Sequence, residues 1–192
     1  WWLGAHENER LPDNPAATVK QAKPKKQRAR EAGYTDAEAV KVLKLSRSYE
    51  PKADEYGRVR ETSASVKAKR WVPLLCAFSG ARVSEITQLR KEDIRQEGER
   101  WIARITPDAG TMKAGHYRDV PLHRQVIAEG FIRFVEQAED GPLFHNGKDP
   151  AKFAAKAVRM TNQVGTWLQE SGLVPEGMQP NYAWRHRFKT QA

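Results

Sequence analysis

The spacing of apolar residues changes period along this chain, and that change sets its fold class. Trp101 to Thr106 switches faces at every residue and is bracketed by Gln96-Glu97-Gly98-Glu99 and Asp108-Ala109-Gly110, which is strand spacing between turn residues. His116 to Leu122 predicts a second strand ending at Pro121, and a short segment near Ile94 a third. On the C-terminal side helical spacing takes over: Val126, Ile127, Phe131, Phe134 and Val135 form one stripe, and Phe153, Ala157, Met160, Val164 and Trp167 another. On the N-terminal side Thr35 and Glu38 have capping-box spacing, with Ala37, Val40 and Leu43 as the stripe behind them. Residues 49–64, broken by Pro51 and Gly57, predict a loop. Lys67 to Phe78 predicts a buried helix containing Pro73, Ala81 to Lys91 a helix with Ile86 and Leu89 inward, and a last helix begins near Asn181. The chain therefore reads as mainly α (α+β), with a small three-stranded antiparallel sheet set among helices.

Composition narrows the function. Of 192 residues, 33 are Lys or Arg against 24 Asp or Glu, a net charge of +9 that points to a polyanionic partner, most simply nucleic acid. The longest apolar run, Trp71 to Phe78, falls far short of the ~20 residues that cross a bilayer. A single cysteine, Cys76, excludes a disulfide framework or a Cys-rich zinc site and suits the reducing cytosol. Gly147-Lys148 is followed by Asp149 and lacks the upstream glycine of a nucleotide-binding loop. The five histidines are scattered singly, without the spacing of a zinc-binding helix. No metal or cofactor is expected.

The segment from Lys20 to Arg30 holds Lys20, Lys23, Lys25, Lys26, Arg28 and Arg30 around one proline and no large apolar residue. It cannot build a core and reads as a basic linker, either a solvated tether or a contact to DNA phosphates. The chain opens on Trp1-Trp2-Leu3 and stops at Lys189-Thr190-Gln191-Ala192 in mid-helix, so both edges read as cut and the chain as an excerpt of a longer protein.

Three stretches carry candidate chemistry. Ser79-Gly80-Ala81-Arg82-Val83-Ser84-Glu85-Ile86 puts an arginine at a helix start with Glu85 one turn on. Lys113 lies at the mouth of a hairpin ahead of Arg118-Asp119-Val120-Pro121-Leu122. Tyr182-Ala183-Trp184-Arg185-His186-Arg187 is a basic helix face. Each alone has an ordinary explanation, as a surface ion pair, a solvated turn lysine and a charged helix face.

Together and in order, the three resemble the tyrosine recombinases, the phage-type integrases. Members carry an Ala-Arg-x-x-Glu-Ile/Leu helix, a lysine in a β-turn before an Arg-x-Val-Pro-Leu strand, and a His-x-x-Arg-His box. The resemblance implies a helical catalytic domain of the DNA breaking-rejoining type. Residues 1–19 would be the tail of a core-binding domain, 20–33 a basic interdomain linker, and 34–192 a catalytic domain truncated at its C-terminus. It implies Arg82, Lys113 and Arg185 as catalytic residues, Glu85 and His186 in support, and Tyr182 in the position of the family's histidine. A phenol, with an ordinary pKa near ~10, donates to a phosphate oxygen but is a poor base at neutral pH, so Tyr182 is expected to position rather than to accept a proton. The nucleophilic tyrosine would lie beyond Thr190, and none of Tyr34, Tyr49, Tyr56, Tyr117 and Tyr182 stands in its place. The implied function is a cytoplasmic site-specific recombinase that cleaves and rejoins double-stranded DNA through a 3′-phosphotyrosine. It would work as a tetramer at full length, with this fragment expected to be inactive alone and monomeric. A non-catalytic basic DNA-binding module and an RNA-associated basic protein are the alternatives.

Overall fold

The structure, a computed structural model, describes residues 30–106 and 117–191, almost all of them in the compact unit that runs from Ala32 to Ala192. Thr35 caps the first helix, α1 (Asp36–Arg47): its hydroxyl accepts from the Glu38 N–H while the Glu38 carboxylate accepts from the Thr35 N–H. The buried face of α1 is Ala39, Val42 and Ser46, not the stripe of Ala37, Val40 and Leu43 read from the sequence; Val40 is half exposed. The reason lies in the next helix, α2 (Ser63–Ser79), whose interior holds Pro73. Proline has no N–H to give to the carbonyl one turn back. The buried Ser46 hydroxyl lies 2.6 Å from that Lys69 carbonyl and 2.9 Å from the Arg70 carbonyl, so α1 turns a polar residue inward to satisfy the gap.

Between α1 and α2 the chain is loop, as expected, with one isolated bridge between Ala53 and Val59. Its end is tied down by Lys69, which donates to Glu61 (2.7 Å) and to the Tyr49 hydroxyl (2.8 Å) and lies over the Tyr49 and Trp167 rings. Tyr49 in turn donates to Glu61. Burial works against the Glu61 charge, but hydrogen bonds from Lys69, Ser65 and Tyr49 outweigh it and hold the carboxyl below its ordinary pKa.

The expected helix over Ala81 to Lys91 is shorter. Arg82 is extended, α3 covers only Val83–Thr87, and a 3-10 turn follows at Lys91–Asp93. The backbone leaves the helix because Leu89 and Lys91 pair with Leu143 and Gly141, which draws Arg90 alongside Pro142. Ile86 and Leu89 are buried all the same. The sheet is the expected one: β1 (Ile94–Glu97), β2 (Arg100–Ile105) and β3 (Arg118–Pro121) lie antiparallel in the order β1-β2-β3, with Ile94 opposite Ala103 and Ile105 opposite Arg118. Ala103 and Ile105 face the core. On the other face Arg104 and Arg95 grip Asp119 at 2.8–3.0 Å and hold its carboxyl down to about 2.

Gly130, at φ 88°, splits the next stripe into α4 (Arg124–Ala128) and α5 (Phe131–Glu136), which bury Val126, Phe131 and Val135. The long helix α6 (Phe153–Glu170) buries Ala157, Met160, Val164 and Leu168, and α7 (Pro180–Gln191) buries Ala183 and Trp184. The core joins these faces around Trp71, Leu75, Phe131, Phe144 and Trp184. The two ends of the unit are clasped together. The Trp184 ring packs on Tyr34 at 4.5 Å, Arg187 donates to the Tyr34 carbonyl (3.0 Å) and pairs with Asp36 (2.8 Å), and Gly33 lies so close to the Arg187 backbone that a Cβ would collide with it. Among the described residues no helix is long and apolar enough to cross a membrane.

Candidate active site

The site is built on the turn between α2 and α3. Gly80 closes α2 in the left-handed conformation (φ 60°), and a Cβ there would overlap the Phe188 ring of α7. Arg82 is extended and caps the start of α3, which lets its side chain fold back on Glu85. Two contacts hold the pair: Arg82 Nη1 to Glu85 Oε1 (2.9 Å) and the Arg82 backbone N–H to Glu85 Oε2 (2.8 Å). The Glu85 side chain is almost wholly buried, whereas that of Arg82 is about one-third exposed. A carboxylate so placed orients the guanidinium and leaves its outer donors available to an anion.

Arg185 reaches the same turn from α7. Its Nη1 donates to the Gly80 carbonyl at 2.6 Å, two residues before Arg82. Both helices register on one residue of α6: the Thr161 hydroxyl meets the Thr87 hydroxyl of α3 at 2.9 Å, and the Thr161 carbonyl accepts from Asn181 at the start of α7 at 3.0 Å. Arg82 and Arg185, 103 positions apart in sequence, are thus brought to one turn by a shared abutment.

Tyr182 lies one turn before Arg185. Its ring is half exposed, meets His186 edge-on at 4.9 Å and lines an open groove of about 430 Å³ along α6 together with Val83, Gly165 and Thr166. His186 is partly buried beside it. Lys113 lies outside the described residues, between β2 and β3, and so do Lys20, Lys23, Lys25, Lys26 and Arg28 of the basic segment; Arg30 is described and exposed. Among the described residues no group of three or more His, Cys, Asp or Glu side chains could hold a metal ion.

One site residue stands out only in three dimensions. Arg118, on β3, gives its Nη2 to Glu85 Oε2 at 2.6 Å, so the buried carboxylate serves two arginines. The sequence placed Arg118 in the strand motif but gave no sign that it faces Glu85, because the pairing depends on β3 folding back over α3.

No family model matches this sequence, and no curated protein matches it. Solved structures do. The XerH site-specific recombinase bound to its difH substrate, in a pre-cleavage complex, superposes with a TM-score of 0.55 at 20% identity, over 83% of this chain and 42% of that one. XerH bound to a palindromic difH substrate, in a post-cleavage complex, gives 0.55 at 21% identity, over 82% and 41%. This chain spans less than half the length of those proteins. The likeness is one of fold: the described residues have a helical architecture with a small three-stranded antiparallel sheet, similar to that of the XerH structures.

Proposed function

We propose that this chain is the catalytic domain of a site-specific DNA recombinase, preceded by the tail of a core-binding domain (residues 1–19) and a basic linker (20–33). The observation that supports the reading is that Arg185 binds the Gly80 carbonyl two residues before Arg82, which is itself oriented by a buried carboxylate. Attack of a tyrosine hydroxyl on a DNA phosphodiester passes through pentacoordinate phosphorus, with added negative charge on the non-bridging oxygens. Two guanidiniums, charged at any working pH, clamp those oxygens, and donors fixed in advance supply the largest share of such stabilisation. As the tyrosine oxygen bonds to phosphorus its hydroxyl proton passes to solvent water; the P–O5′ bond then breaks, Lys113 gives its proton to the departing 5′ oxygen, and the 3′ phosphate stays on the tyrosine. Tyr182 and His186 position the phosphate from the α7 side. The energy of the broken bond is kept in the phosphotyrosine, so the reverse step reseals the strand. The nucleophile is a tyrosine of the parent protein other than the five here, and the parent acts as a tetramer on two duplexes.

The test uses the natural full-length protein and a nicked duplex that traps the covalent adduct. Arg82→Ala and Arg185→Ala are each expected to lower adduct yield by at least ~10²-fold while leaving duplex binding within a few-fold. Duplex binding with no adduct from the unaltered protein would leave the non-catalytic DNA-binding module as the reading.

A further inference from the structure

Glu85 is a single buried negative charge at a site that has to attract another. Arg82 paired with Glu85 alone sums to zero, so an incoming phosphate would meet a neutral pair. Arg118 changes the sum. It enters from β3 and takes Glu85 Oε2 at 2.6 Å, while Arg82 keeps Oε1 at 2.9 Å, so the trio carries +1. Arg185, bound to an uncharged carbonyl, raises the total to +2. A phosphodiester carries one negative charge and its pentacoordinate state two, so, counting the three arginines and Glu85 and setting aside Lys113, whose proton goes to the leaving oxygen, the sum balances in the transition state with Arg118 and falls short by one without it. The Arg118 side chain is about one-third exposed, so it keeps part of its surface in water while sharing the carboxylate.

We infer that Arg118 is a positioning residue of the phosphate site that offsets the charge of Glu85 and so frees Arg82 to act on the phosphate. This inference rests on the function proposed above. It differs from a plain structural role, in which Arg118 would only staple β3 to α3. A staple affects every substrate equally, whereas a charge-balancing group affects charged and neutral linkages differently.

The experiment compares adduct formation by the full-length protein on two nicked duplexes, one with the ordinary phosphodiester at the cleavage position and one with a methylphosphonate, which has one negative charge fewer. Arg118→Gln is expected to lose about a hundredfold in rate on the phosphodiester. It should lose much less on the methylphosphonate, so that the ratio of the two rates shifts by at least tenfold from that of the unaltered protein. Arg118→Lys, which restores the charge, should return the ratio to within about threefold. An unchanged ratio in Arg118→Gln overturns the inference, as does an Arg118→Lys ratio equal to that of Arg118→Gln. An Arg118→Gln chain that fails to fold in a urea titration also overturns it, because a charge role leaves the fold intact. If the unaltered protein forms no adduct on either duplex, the recombinase reading itself fails. A defect in Arg82→Ala without a ratio shift in Arg118→Gln removes only the role given to Arg118.

Discussion

Gly80 does three things at once: it ends α2 in a left-handed turn, makes room for Phe188, and presents the carbonyl that seats Arg185. An alanine there meets the left-handed penalty of about 1–2 kcal/mol and displaces the Phe188 ring as well. Gly80→Ala is therefore expected to lower unfolding free energy by at least that amount in urea, and to lower adduct yield further than the stability loss accounts for. His145 is a second residue with a separable effect. Its ring is buried against Phe153, Nδ1 accepts from the Gly147 N–H at 3.2 Å, and Nε2 has no hydrogen-bond partner among the described residues. Burial, aided by Lys156, pushes its pKa down to about 4. The folded state thus keeps the ring neutral where the unfolded chain, titrating near ~6.5, takes up a proton. The stability this gives is complete above pH ~6.5 and is lost as the pH falls toward about 4, by up to about 3 kcal/mol. Unfolding free energies measured across that window should rise with pH in the natural chain and flatten in His145→Phe.

At the scale of elements, local rules read well and long-range ones did not. The α1 cap, the sheet order and the start of the last helix follow from residues within a turn or a hairpin of one another. The Arg82–Glu85 pair was legible for the same reason, since a residue that caps a helix lies within reach of the side chain three positions on. The buried face of α1 was not legible, because a serine belongs in the core only if a proline on the neighbouring helix leaves a carbonyl without its donor. Ser46→Ala tests that explanation: the Lys69 carbonyl would be buried without its donor, at a cost of about 1–3 kcal/mol in urea unfolding, with little change in helix content by circular dichroism. The Arg118–Glu85 and Arg185–Gly80 contacts span 33 and 105 positions, and no spacing rule reaches that far. The resemblance to a known family drew Arg185 into the candidate set, but it cast Arg118 only as part of a strand motif.

For the whole molecule, the net charge of +9 is the property that composition alone made visible, and it bears on the DNA binding proposed above. Converting Lys23, Lys25 and Lys26 to glutamine should reduce the steepness of log affinity against log salt by ~0.9 for each residue that touches a phosphate, up to roughly 2.7 in all. An unchanged slope in a salt titration would make the segment a tether. The architecture carries a further consequence at its seam. Gly33, Tyr34 and Asp36 hold Trp184 and Arg187 on the helix that also bears Arg185. Trimming the front of this unit past Gly33 would therefore unfasten its rear wall, and a shortened version meant to isolate the reactive half would forfeit the very arginine it was cut to keep.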